Sequence, residues 1–225
     1  MPTYDGYGNV LAESGGKANR FIGKKAGCLG DSLTAMGAAW QNRLAEKLGL
    51  SEIVNYGVSG TTVTSARGEG ENTYRDRAPN MADDLDLIVV MTSINDSGAN
   101  YGVYNEYEGT GTLGSATDKT VNDVSTIAGA GVELINILQA KYPGKEIVFF
   151  SHPHTHWTWS YGEADMYAKV CGHRGVPFFD LLRFSGIDGV TEENKTRYFT
   201  DGVHLTTEGN HRVADFMASC LATML

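Results

Sequence analysis

Gly30-Asp31-Ser32-Leu33 stands where a short apolar run gives way to a helical pattern, with Ala35, Met36, Ala38, Ala39, Trp40, Leu44 and Leu48 recurring three and four apart. A strand, a tight turn and a helix would hold the Ser32 hydroxyl at the carboxyl end of the strand, with its own N–H among the unpaired donors of a helix start. One residue can then be nucleophile and oxyanion donor together. A lone Asp-Ser before a helix is more simply read as a cap, Ser32 or Thr34 being the capping residue. The far end of the chain shifts that balance. There Asp201-Gly202-Val203-His204 places a carboxylate and an imidazole on one loop, where the first can fix the tautomer of the second and stabilise the imidazolium. Alone, a loop His is usually solvated and an Asp before Gly is a turn residue. Beside Ser32 the pair has the makings of a base for a nucleophile.

The remaining chemistry is charge stabilisation. Attack on an ester builds charge on the carbonyl oxygen, and fixed donors aimed there lower the transition state more than the ground state. Gly60 suits such a donor because a residue without Cβ lets its N–H approach substrate closely; it also reads as an ordinary turn glycine. Asn95 follows the apolar run Leu87-Ile88-Val89-Val90-Met91, so it stands where a buried strand reaches its carboxyl end, the ligand-binding edge of an open α/β sheet. The plainer alternative is an Asx-turn made by Asn95-Asp96, and Asp96 is assigned to that structural role.

Together these blocks resemble the SGNH, or GDSL-type, hydrolases. Gly30-Asp31-Ser32-Leu33 is similar to the family's first block, Asn55-Tyr56-Gly57-Val58-Ser59-Gly60 to its second, Ser93-Ile94-Asn95-Asp96 to its third and Asp201-Gly202-Val203-His204 to its last. They come in the family's order and span most of the chain. The resemblance implies a three-layer α/β/α sandwich with a central five-stranded parallel sheet, the SGNH or flavodoxin-like hydrolase fold. It implies Ser32 as nucleophile, His204 as general base and then acid, and Asp201 orienting His204. It also implies an oxyanion hole from the N–H groups of Ser32 and Gly60 and the side-chain amide of Asn95, with no metal and no organic cofactor. Ser93 departs from the pattern, since the third block usually begins with Gly. With Asn95 in place, that departure bears on local backbone geometry rather than on chemistry.

Positioning such a set takes alternating strands and helices. Phe21 to Leu29 reads as the first core strand, with the helix through Leu48 after it, and Glu52 to Tyr56 as the second strand. Thr61 to Asn80 is polar and ends in a short helix before a strand over Asp86 to Met91. Val124, Ile127, Val132, Leu134, Ile135 and Leu138 mark a helix within Val121 to Tyr142, stopped by Pro143-Gly144. A buried strand at Glu146 to Ser151, a helix at Ala164 to His173 and a fifth strand at Gly175 to Asp180 follow. A polar stretch from Ser185 to Arg197 leads to the Asp201 loop, and Thr206 to Leu225 closes as a helix capped by Thr206 or Thr207. This order argues for a parallel sheet between helix layers. A length of 225 residues fits one such domain, expected over 21–225 behind a flexible leader, residues 1–20, in which Tyr4 to Asn9 reads as turns or a short edge hairpin.

Ser97 to Thr120 carries Tyr101, Tyr104 and Tyr107 among Gly and Thr, and it begins beside Asn95. Loops this long are usually functional, so it is expected to overhang the site. Tyr rings among hydroxyls and amides suit a sugar, whereas an acyl tunnel would want Leu, Ile, Phe and Met. Anchoring the loop to the domain is the competing role for the tyrosines. His152-Pro153-His154-Thr155-His156 sets three His at alternate positions, a spacing that could put imidazoles on one side of an extended segment for Zn²⁺, but no carboxylate stands at a ligand spacing and Pro153 spoils a regular strand. The segment is expected instead to wall the pocket. His154, Trp157 and Trp159 thereby join Tyr101 and Tyr104 as substrate-binding candidates. Arg67, Arg75 and Arg77 read as surface residues rather than as a grip on an anion.

A net charge of −9 argues against nucleic acid and anionic membrane as partners. No apolar run reaches membrane-spanning length, and Met1 to Asn19 shows no secretory signal pattern. The compartment therefore reads as cytoplasmic by default, or the chain as part of a larger or phage-derived assembly. Cys28, Cys171 and Cys220 are odd in number and unpaired in spacing, so neither a disulfide framework nor a thiolate metal site is expected. What the resemblance implies, sharpened by the Tyr- and Trp-rich loops, is a serine esterase acting on a small acyl ester, acetyl first, of a carbohydrate. Its partner is then a small-molecule or glycan ester. A general short-chain esterase, thioesterase or lysophospholipase-like acylhydrolase is the runner-up, and a phage-tail-like module that binds a glycan or receptor is the non-enzymatic alternative.

Overall fold

The computed structural model describes residues 2–4, 10–13, 19–36, 38–65, 72–114, 117–156 and 161–224. At the start, β1 (Pro2–Tyr4) and β2 (Val10–Glu13) pair antiparallel as a small sheet of their own. β3 (Lys25–Gly30) then runs into α1 (Ser32–Ala35) and α2 (Ala38–Leu48), and β4 (Glu52–Gly57) into α3 (Tyr74–Arg77). β5 (Leu87–Met91) is followed by a hairpin of β6 (Val103–Asn105) and β7 (Thr110–Thr112), then by α4 (Ile127–Lys141). β8 (Glu146–Phe150), α5 (Tyr161–His173), β9 (Phe178–Phe179), α6 (Leu181–Phe184), α7 (Glu192–Tyr198) and α8 (Thr207–Ala222) complete the chain.

Five strands form one parallel sheet in the order β4-β3-β5-β8-β9. All their carboxyl ends face one edge. β3 and β5, whose ends lead to Ser32 and Asn95, are neighbours in it.

Strand alternation sorts the core into two faces. Ile88, Val90 and Phe149 pack with Leu134 and Leu138 of α4 and with Tyr167 and Val170 of α5. Leu87, Val89, Met91, Val148 and Phe150 point the other way, onto Trp40 and Leu44 of α2 and Val213, Met217 and Leu221 of α8. The result is three layers, α/β/α. Each fully buried Leu, Ile, Val or Phe contributes about 1.5–3 kcal/mol, so these two faces, more than helix propensity, hold the sheet.

The first strand of the parallel sheet, β3, begins at Lys25 rather than Phe21. Phe21 to Gly23 make a turn in which Asn19 Oδ1 accepts from the Phe21 N–H at 3.0 Å, while the Phe21 ring still reaches the core. The first helical stretch ends at Ala35, and side chains of α2 bond to its last carbonyls. Trp40 Nε1 donates to the Leu33 carbonyl at 3.0 Å and Gln41 Nε2 to that of Thr34 at 3.1 Å, which ties the end of α1 to the start of α2.

Candidate active site

Asp31, not Ser32 or Thr34, caps α1: its carboxylate accepts from the Leu33 N–H at 3.0 Å. The Ser32 hydroxyl is thus left without a capping job, and the residue is 7% exposed. The second Asp31 oxygen accepts from the Ile94 N–H (2.9 Å), the Ser93 hydroxyl (3.1 Å) and the Asn95 amide (3.2 Å). One buried carboxylate therefore fastens the turn after β3 to the turn after β5. Burial pushes Asp31 up to about 6, against the pull of its bonds from Leu33, Ile94 and Ser93. Ser93 fits where the related pattern has Gly because its backbone is ordinary (φ −83, ψ 128) and its hydroxyl takes the Asn95 N–H at 3.0 Å.

A turn this tight needs Gly30, since a Cβ there would fall 1.9 Å from Thr34 Oγ1. Gly60 lies at φ +77, where L side chains are strained, and a Cβ built on it meets open space. Among the described residues neither the Ser32 N–H nor the Gly60 N–H has a hydrogen-bond acceptor. Asn95 differs, since its Nδ2 donates to Asp31 and to the Thr61 carbonyl at 3.1 Å. Asp96 makes no local Asx-turn. It accepts from the N–H groups of Val63 (2.8 Å) and Thr64 (3.2 Å) and so pins the stretch after Gly60.

On the last loop His204 Nδ1 donates to Asp201 Oδ2 at 2.7 Å, and the other oxygen accepts from the His204 and Val203 N–H groups at 2.8 and 3.0 Å. That fixes Nε2 as the free, basic nitrogen. Partial desolvation, the largest influence on Asp201, would raise its pKa, but the bonds from the His204 ring and from the two backbone N–H groups outweigh it and hold the carboxyl at about 2. Val203 and Leu205, on either side of His204, pack on the same apolar cluster as Leu33 and Ile94. Among the described residues the Ser32 hydroxyl makes no hydrogen bond to His204; such bonds often close only in the substrate complex.

A strand-end serine, two idle N–H donors and an Asp–His pair suit acyl transfer. The match of residues 28–212 to the model of the GDSL-like lipase/acylhydrolase family decides the class. The chain belongs to that family. It is accordingly a carboxylic ester hydrolase of the GDSL, or SGNH, kind, and the reading as a mere binding module is dropped. No curated protein matches. Among solved structures, a protein from Lactobacillus plantarum superposes with a TM-score of 0.75 at 22% identity, covering 91% of this chain and 99% of that one. An inhibitor-bound aryl esterase from M. smegmatis gives 0.57 at 20% identity over 90% and 100%. A family two carbohydrate esterase from Clostridium thermocellum in complex with cellohexaose gives 0.60 at 15% identity over 97% and 68%. At such identities the likeness is one of fold.

Around this GDSL framework the expected pocket wall needs correcting. Tyr104 is 5% exposed, and its ring lies 5.4 Å from that of His173 at the end of α5. Helices that return between parallel strands end at the sheet's amino edge, so Tyr104 points away from the edge that carries Ser32. It is a core residue, not a substrate contact. The hairpin does not overhang the site; it hangs along α4 and α5, with Glu106 paired to Lys169 at 3.0 Å. The cavity of about 370 Å³ that it forms with Leu113, Gly114 and Lys119 is likewise not at Ser32. Tyr101 does stay near the carboxyl edge, its ring covering Gly162 at the start of α5.

His154 is buried at the same edge, its ring 6.3 Å from that of Tyr161. His152 and His156 turn Nδ1 to different carbonyls, of Pro153 (2.9 Å) and Gly189 (3.1 Å), so the three imidazoles do not converge. Among the described residues no group of three His, Cys, Asp or Glu could hold a metal ion. The His156 N–H donates to the Gly202 carbonyl at 2.8 Å, tying this wall to the His204 loop. Trp157, Trp159 and Arg67 lie outside the described residues. Arg75 and Arg77 are not surface residues: both are half-buried and hydrogen-bond backbone carbonyls, of Val63 and Gly30. Tyr161, Phe184 and Val190 are exposed near the carboxyl ends of β8 and β9 and were not foreseen, since nothing local sets them apart. Among the described residues no helix is long and apolar enough to cross a membrane.

Proposed function

We propose that the chain hydrolyses small acyl esters through a covalent acyl-enzyme on Ser32. His204 Nε2 takes the hydroxyl proton as Ser32 attacks, then returns it to the departing alcohol; a water activated by the same nitrogen releases the acid. Asp201 orients the ring and stabilises its charged form. The N–H groups of Ser32 and Gly60, with the Asn95 amide, receive the negative charge that develops on the carbonyl oxygen. The observation that carries this reading is the 2.7 Å Asp201–His204 bond, which leaves Nε2 basic on a loop packed against the neighbours of Ser32.

For the alcohol, a carbohydrate is the favoured class, with acetyl as the acyl group. Tyr101, Tyr161 and His154 at the carboxyl edge support it, as does the likeness in fold to a carbohydrate esterase with cellohexaose. A general short-chain esterase is the second reading. The burial of Tyr104 removes one sugar platform, and Phe184 (67% exposed) and Val190 (57%) offer apolar rim instead.

A serine-directed phosphonate followed by peptide mapping tests the mechanism. The label is expected on Ser32 with full loss of activity; label elsewhere, or activity that survives labelling and yields to a chelator, overturns it. Acetyl release from acetylated glycans beside a chain-length series of aryl esters separates the two substrate classes.

A further inference from the structure

α3 is a single turn, yet it is braced as though its position mattered. Thr73 and Asp76 close a capping box at its start, and Arg75 Nε holds the Val63 carbonyl at 3.0 Å. Its last residue, Arg77, is half-buried with its guanidinium 5.0 Å above the ring of Tyr74, which is fully buried. Nη1 donates to the Asn72 carbonyl, and Nη2 donates at 2.8 Å to the carbonyl of Gly30, two residues before Ser32. That carbonyl has a second donor. The Val58 N–H reaches it at 3.1 Å, and Val58 opens the turn that ends in Gly60.

The Gly30 carbonyl is therefore the joint between the two turns whose N–H groups are idle. We propose that Arg77 is a positioning residue for the oxyanion donors: its fork, closing on Gly30 from below, fixes the Ser32 N–H relative to the Gly60 N–H. This rests on Ser32 being the nucleophile. A guanidinium suits the task because it is planar and reaches two carbonyls at once, while a lysine ammonium offers one compact charge on a flexible stem. Its charge also acts on the neighbouring Asp31 carboxylate, and that attraction opposes the burial that lowers the Arg77 pKa. Misplacing a catalytic donor by about 1 Å can cost on the order of 10²-fold in rate, so a brace of this kind is visible in turnover.

The test is steady-state kinetics on Arg77→Lys and Arg77→Met, with rates referred to active sites counted by phosphonate titration so that loss of folded protein does not enter. Expected are falls in kcat of roughly 10-fold for Lys and 10²-fold for Met, with KM within about twofold of wild type. A kcat per titrated site within twofold of wild type in both variants, or a loss confined to KM, overturns the proposal. If Arg77→Met does not fold, the Lys variant decides by the same criteria. Ser32→Ala is the control: if that variant stays active, the nucleophile reading fails, whereas an inactive Ser32→Ala beside fully active Arg77 variants rejects Arg77 alone.

Discussion

The Ser32 turn and the Asp201–His204 loop, the two halves of the candidate site, are built in opposite ways. Around Ser32 the contacts are buried and distant in sequence: Asp31 to Ile94, Ser93 and Asn95, and Arg77 to Gly30. Around His204 the bonds that orient the ring are local and open: among the described residues three run to the Asp201 carboxylate from within four positions, and the Asp201 side chain is 55% exposed. Donors that must meet a developing charge gain from being immobile before the reaction starts. A base that swings between hydroxyl, leaving alcohol and water needs orientation more than confinement. The two halves should therefore respond differently to substitution, one in stability as much as in rate and the other mainly in rate.

The largest effect is expected from Ser32→Ala, a loss in kcat of roughly 10⁴- to 10⁶-fold on any ester, measured as product release under saturating substrate. Asp201→Asn comes next. The ring loses its preferred tautomer, so kcat should fall about 10²- to 10⁴-fold, while the half-exposed carboxylate, held at about 2, gives up only a solvent-screened share of stability; a stability loss larger than that of Asp31→Asn would break the contrast drawn above.

Asn95→Ala should cost about 10²- to 10³-fold in kcat if its amide turns to the oxyanion. A change within threefold would mean that Nδ2 keeps its bonds to Asp31 and Thr61 throughout the reaction.

Asp31→Asn probes the buried half for stability, with an expected loss of about 1–3 kcal/mol by urea unfolding at pH 7. Its pH dependence has a definite sign. The native carboxyl titrates at about 6 against an ordinary 3.8, so between those values the folded protein holds a proton that the unfolded chain has released. Wild-type stability from this group thus falls as pH rises through that window, and the gap to Asp31→Asn should be wider at pH 4 than at pH 7.

The same contrast explains what could be read beforehand. The Asp201–His204 pair and the strand–turn–helix around Ser32 are short-range patterns, and the five parallel strands follow from apolar runs separated by helical periodicity. Arg77 could not be recognised, because its partner Gly30 lies 47 positions away and a lone arginine carries no local mark. Tyr104 misled because composition says what a loop is made of, not which end of a helix it lies against. α7 escaped notice for the opposite reason: it buries no residue, so it has no apolar stripe to show, although Thr191 caps it and its acidic and basic ends are in helical order.

The hydrogen bond from the His156 N–H to the Gly202 carbonyl has a practical meaning for anyone wishing to retune this enzyme. A wall segment chained to the His204 loop is not remodelled by itself. If the proposed roles hold, loop grafts across residues 152–156 made to change the alcohol should move the imidazole as well, so that new selectivity obtained there arrives together with altered turnover; edits at Phe184 stand apart from that link, whereas Val190 follows Gly189, which is bonded to both His154 and His156.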